Sequence, residues 1–173
     1  CVYLTYLSPC GKRLSTLVKS CARVAPLERK TLPRLELLGS LVTAQLLCSV
    51  IKALKLPSDV KYTCWTDSMV ALGWIQGQPS KWRPWVANRV STIQSLTDPT
   101  RWRHTPGEDN PADLVSRGVS AERLISSELW WHGPSFISEA YDDTPSLAVM
   151  PDGDETVEKE RRVTAKSALL LCL

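Results

Sequence analysis

Val60-Lys61-Tyr62-Thr63-Cys64-Trp65-Thr66-Asp67-Ser68, followed at once by Met69-Val70-Ala71-Leu72-Gly73-Trp74-Ile75-Gln76, decides the fold class. The run to Trp65 is rich in β-branched and aromatic residues and reads as a strand, with Thr66-Asp67-Ser68 marking its end. The apolar run after Ser68 reads as a short helix over Met69–Gln76. Upstream, Pro33 opens a long helix in which Leu35, Leu38, Val42, Leu46, Val50 and Leu54 recur every three or four residues, until Leu56-Pro57-Ser58-Asp59 breaks it. Before that helix, Val2–Leu7 and Leu14–Val24 flank the turn residues Ser8-Pro9-Cys10-Gly11 and read as antiparallel strands. Downstream, Gly77-Gln78-Pro79-Ser80 is a turn and Trp82–Leu96 has helical spacing at Trp82, Trp85, Val86, Arg89, Val90 and Ile93. Arg101–His104 reads as a short strand and Thr105–Asn110 as a loop. Pro111–Arg117 reads as a helix closed by Gly118. Two strands, then helix, strand, two helices, strand and helix describe an α/β protein with a mixed sheet flanked by helices.

The 173 residues amount to one domain and a tail, and 43% hydrophobic with 23% charged residues exclude a wholly disordered, fibrous or membrane-embedded chain. The longest charge-free stretch of the first 120 residues, Leu37–Ile51, is broken by Gly39, Ser40, Thr43, Gln45 and Ser49, so no membrane span is expected. Cys1, Cys10, Cys21, Cys48, Cys64 and Cys172 are scattered without a Cys-x-x-Cys pair, and His104 and His132 are the only histidines, which argues against zinc. Reduced thiols and an intracellular setting, cytoplasmic or within a particle, are expected. The chain opens on Cys1 with no targeting pattern and reads as a fragment. Residues 1–118 hold 16 Lys and Arg against 8 Asp and Glu, whereas residues 119–173 hold 5 against 10. A basic body that meets a polyanion and an acidic tail that does not would account for the split, as would an ordinary solvated surface. Glu139–Glu160 is acidic with little apolar periodicity. A domain over 1–134 followed by a disordered linker over 135–173 is therefore expected, leading toward a further module.

Three acids stand where such a fold lets side chains converge: Glu36 early in the long helix, Asp67 at the carboxyl end of a strand, and Asp113 in the helix after the last strand. Each also has an ordinary structural explanation. Glu36 complements a helix N-terminus, Asp67 caps the helix from Met69, and Asp113 sits in the first turn of its own helix.

Taken together, Pro33-Arg34-Leu35-Glu36-Leu37, Trp65-Thr66-Asp67-Ser68 and Asn110-Pro111-Ala112-Asp113-Leu114-Val115-Ser116-Arg117-Gly118 resemble the ribonuclease H domain of Pao/BEL retrotransposon polyproteins. Lys19–Leu27, Trp85–Val90 and Leu129–Pro134 resemble that family's connecting sequence, so the likeness runs over roughly Cys1–Pro134. It implies a ribonuclease H-like fold that hydrolyses the RNA strand of an RNA–DNA hybrid with two Mg²⁺ (or Mn²⁺) ions, tethered to reverse transcriptase and integrase modules of one polyprotein. Hard cations take oxygen ligands, and a metal pair about 3.5–4 Å apart serves both attacking and leaving oxygens. By resemblance, Glu36 and Asp67 hold the leaving-group metal and Asp113 the metal that activates water, with carboxyl groups about 4–8 Å apart. The family's fourth ligand, a first-strand aspartate, has no counterpart, because the chain begins at Cys1 in what looks like the end of that strand, an N-terminally truncated domain with its first strand incomplete, and no acid precedes Glu28. Impaired hydrolysis is the expectation for the chain as given.

His104 is a candidate auxiliary residue for product release, although an ordinary strand position explains it as well. His132 reads as packed at the domain's edge. Arg34, Lys81, Arg83 and Arg89 are the candidate nucleic-acid contacts, with Trp82 and Trp85 taken as core. Two other classes stay in view. One is a non-catalytic remnant that binds nucleic acid or a partner. The other is a retroelement aspartic peptidase, against which stands the missing glycine in Asp67-Ser68-Met69.

Overall fold

The computed structural model describes residues 1–25, 27, 28, 30–138 and 155–162. Strands β1 (Val2–Leu7) and β2 (Arg13–Lys19) form an antiparallel hairpin in which Tyr3 faces Leu17 and Leu7 faces Arg13. Gly11 makes the connection possible: it adopts φ +79°, a conformation open to glycine, while Ser8 N donates to Lys12 O at 2.9 Å. β2 stops at Lys19, short of the expected Val24, and Cys21–Ala25 run exposed and irregular.

Helix α1 (Leu32–Ala53) follows, with Pro33 in its first turn. Its buried stripe is Leu37, Ser40, Ala44, Leu46 and Val50. The expected stripe holds only in its second half, since Leu35, Leu38 and Val42 are half-buried and Leu54 is exposed. The reason is a close neighbour: α1 packs on α3 (Pro84–Leu96), and the small side chains of Ser40 and Ala44 let it approach. α1 is long and apolar enough to cross a membrane by length and composition alone, yet Leu37 and Ala44 lie wholly inside the protein's own core.

Strand β3 (Cys64–Thr66), helix α2 (Met69–Gln76), α3 and strand β4 (Trp102–His104) form the next unit, in which β3 and β4 pair in parallel with Cys64 opposite Trp102 and Thr66 opposite His104. Parallel strands need a crossover, and α2 and α3 supply it. Side chains finish this unit where backbone groups would be left unpaired. Gln94 Nε2 donates to the carbonyls of Ile75 and Gly77 at the end of α2, and Trp82 Nε1 donates to Trp74 O. Gly77 is needed for space, because a Cβ there would stand 2.8 Å from the Trp82 ring. Trp74, Trp82 and Trp102 join Leu37, Val86, Val90 and Ile93 in one core.

The fold is mixed α/β, but the one continuous sheet expected from the sequence is absent among the described residues: there are two two-stranded sheets, one antiparallel and one parallel. β3 is only three residues long because Val60–Thr63 stay outside the ladder. Side chains tie the two halves. Trp65 of β3 packs against Phe136 with ring centroids 4.9 Å apart and planes tilted by 53°, and the Tyr3 hydroxyl of β1 donates to Trp130 O at 2.9 Å. Helices α4 (Ala112–Ser116), α5 (Ala121–Ile125) and α6 (Glu128–His132) follow. His132 Nδ1 lies 2.7 Å from Ser15 O, fastening α6 to β2, which fits its expected place at the domain's edge.

A second correction concerns the tail. Residues 139–154 and 163–173 lie outside the described residues, but 155–162 do not behave as a free linker. Helix α7 (Glu155–Glu158) buries Val157 in the main core, and Glu160 is 8% exposed. One apolar residue and one buried ion pair replace the apolar periodicity that the sequence lacks.

Candidate active site and the basic face

Asp67 immediately follows β3, and the parallel pairing runs one step past β4, where Thr105 N donates to Thr66 O at 3.0 Å. That bond carries the following turn, Gly107–Asp109, over Asp67. A Cβ placed on Gly107 would lie 3.9 Å from Asp67 Oδ2 and 3.7 Å from Asp113 Oδ2. The two carboxylate oxygens therefore both lie beside Gly107 and are within about 8 Å of each other.

Capping does not occupy Asp67. Ser68 is the N-cap of α2, its hydroxyl accepting from Ala71 N at 3.1 Å, so the helix leaves the Asp67 carboxylate to other partners. Asn110 Nδ2 donates to Asp67 Oδ2 at 3.0 Å, and His104 Nε2 lies 3.3 Å from the Asp67 carbonyl oxygen. Asp113 does sit in the first turn of α4, and it pairs with Arg117, one turn on, at 2.9 Å. Arg117 is 78% exposed, and such a surface pair contributes only about 0.3–0.5 kcal/mol, so it yields easily to a stronger cation. Glu36 lies beyond the first turn of α1 and is half-buried. Its backbone carbonyl accepts from Ser40 Oγ. No three His, Cys, Asp or Glu side chains among the described residues form a ready metal cage.

The structure thus brings Asp67 and Asp113 together, sets His104 beside them, and adds two residues that sequence reasoning did not single out. Asn110 and Gly107 lie in or next to a quoted motif, yet nothing local marks one as the orienting amide and the other as the gap. The pair fits a hard divalent ion in kind: Mg²⁺ is commonly held by one or two carboxylates and completed by water and substrate phosphates.

The basic residues gather on another face. Arg89 stacks on the Trp85 ring at 3.7 Å, Arg34 at 5.0 Å and Lys30 at 5.7 Å, so half-buried Trp85 forms the floor of a three-cation cluster. Trp82 is core, as expected. Burial, and then the nearby Arg34 charge, pull the Arg89 guanidinium below its ordinary pKa. Lys81 and Arg83 are exposed and flank the start of α3. Arg34 makes a two-pronged ion pair with Glu160, at 2.8 and 3.1 Å. Among the described residues Cys1, Cys10, Cys21, Cys48 and Cys64 are free, and burial pushes Cys64 up to about 12.

Searches of curated proteins and of solved structures found no match. The family model described as Pao retrotransposon-like RNaseH-like domain matches residues 1–68, the stretch from the hairpin through Glu36 to the residue after Asp67. Over those residues, less than half of the chain, the sequence is similar to the Pao retrotransposon-like RNaseH-like domain family.

Proposed function

We propose that this chain is a ribonuclease H-like nuclease domain of a retroelement, acting on the RNA strand of an RNA–DNA hybrid through divalent metal held at Asp67 and Asp113. The observation that carries the reading is the meeting of these two carboxylates across Gly107. When bound, the metal supplies charge neutralisation at the phosphate and an acidified water. The chain's own residues do the rest. Asn110 donates to Asp67 Oδ2, the oxygen nearest Gly107, and so fixes the orientation of the carboxylate. Gly107 keeps the space between the carboxylates clear for a phosphate oxygen, where any side chain would intrude. His104, exposed and 3.3 Å from the Asp67 carbonyl oxygen, is the proposed auxiliary residue for product release. Glu36 is the third proposed ligand, by resemblance, and with no acid among residues 1–27 to act as a fourth, slow turnover is expected of this stretch taken alone.

A second reading, a non-catalytic nucleic-acid binder, is favoured by the absence of a three-acid cage among the described residues. One assay separates them. With Mn²⁺ or Mg²⁺, the purified chain should cut a labelled RNA–DNA hybrid slowly, and Asp67→Asn and Asp113→Asn should each remove the cutting while leaving hybrid binding intact. Binding without any metal-dependent cutting would favour the non-catalytic reading.

A further inference from the structure

The basic face has an acidic occupant. Glu160 is 8% exposed and grips Arg34 with both carboxylate oxygens. Its backbone carbonyl accepts from Arg83 N at 2.7 Å, and Arg162 N donates to Lys81 O at 2.8 Å. Arg161 bridges to Trp82 in the manner of an added strand and lies over its ring at 5.9 Å. Three of the four cationic residues expected to meet phosphate, Arg34, Lys81 and Arg83, are thus touched by residues 160–162. The fourth, Arg89, keeps a buried Nε with no hydrogen-bond partner.

A carboxylate and a phosphate present the same paired oxygens to an arginine fork. Lys30, Arg34 and Arg89 crowd one tryptophan, while the acids paired with them are Glu28 on Lys30 and Glu160 on Arg34. Crowded cations repel one another, so an anion there stabilises the cluster, and Glu160 arrives on a short segment anchored by one apolar side chain, Val157. A segment held by one valine and a few edge bonds is displaceable by a polyanion that makes more contacts.

We propose that Arg34, Trp85 and Arg89 form a docking site for a backbone phosphate of a nucleic-acid strand, and that residues 155–162 are a strap whose Glu160 fills this site until the strand displaces it. The proposal rests on the nucleic-acid reading for its partner but not for its anion site. If the strap is docked nine-tenths of the time, it lowers the apparent affinity about tenfold.

The test compares the full chain with Glu160→Gln, Val157→Ser and Glu158→Gln, each first checked for an unchanged fold by circular dichroism. Binding is measured to two probes, a short inorganic polyphosphate and an RNA–DNA hybrid. Glu160→Gln and Val157→Ser should each bind polyphosphate several-fold more tightly. Glu158→Gln, which makes the same change in net charge away from Arg34, should gain little. Val157→Ser changes no charge, so its gain reports undocking alone. Equal gains for Glu158→Gln and Glu160→Gln, or no gain for Val157→Ser, would overturn the strap. Tighter polyphosphate binding with no hybrid binding by any variant would leave the strap standing and remove the nucleic-acid reading.

Discussion

The carboxylate edge and the basic face handle charge in opposite ways. At the edge, Asp67 and Asp113 approach each other with a neutral amide on one and a serine hydroxyl and an exposed arginine on the other. On the basic face, crowded cations are answered by a largely buried carboxylate and stacked on an aromatic ring. Like charges brought together and left uncompensated cost stability, so such a cluster marks a place where a ligand of opposite charge is accommodated. On the proposed reading the first region takes a cation, and the second holds in Glu160 a mimic of its anion.

The largest effect that separates the regions lies in cleavage. Asp67→Asn should lower metal-dependent cutting by about a hundredfold or more, because groups acting as a unit fail together. Its melting temperature should barely change, since an asparagine oxygen still accepts from Asn110. A comparable loss of cutting from Arg34→Met would erase the distinction between the regions. Next in size is the core that both share. Trp82→Ala should cost about 3–5 kcal/mol by chemical denaturation, because the indole is 4% exposed and holds the end of α2. It should also undock residues 155–162, which hydrogen exchange would reveal as lost protection at Arg162.

Gly77→Ala is smaller. The Cβ must push against the Trp82 ring, and about 1–3 kcal/mol of destabilisation is expected from overpacking. Gly107→Val, by contrast, should leave melting nearly unchanged and weaken Mn²⁺ binding, because it fills the gap between the carboxylates without touching the core. Smallest is Arg117→Ala. Loss of an exposed pair should change stability by no more than about 0.5 kcal/mol and should tighten, not weaken, metal binding at Asp113, as isothermal titration would show.

Much of the fold was legible because it is written locally. The turn at Ser8–Gly11, the proline at the head of α1 and the strand end at Thr66-Asp67-Ser68 before Met69 all announce themselves within a few residues, although the cap falls on Ser68 and not, as read, on Asp67. The length of β3, the rotation of α1's buried stripe and the docking of Val157 were not legible. Each depends on a partner far along the chain, as Arg34 and Glu160 do across 126 positions. The site divides in the same way. Asp67 and Asp113 stand out by motif, but Asn110 and Gly107 acquire meaning only when the turn after β4 folds over β3. Glu36 was named by resemblance, and it lies half-buried beyond the first turn of α1, in no three-acid group among the described residues.

The central claim is that Asp67 and Asp113 form a cation site across Gly107. Titrating Mn²⁺ into the isotope-labelled chain and following paramagnetic broadening of amide signals tests it most directly. Gly107, Asn110 and Ser68 should broaden first, and the effect should vanish in the Asp67→Asn, Asp113→Asn double variant. Broadening that starts instead around Glu155 and Glu158, or that survives in the double variant, would contradict the claim.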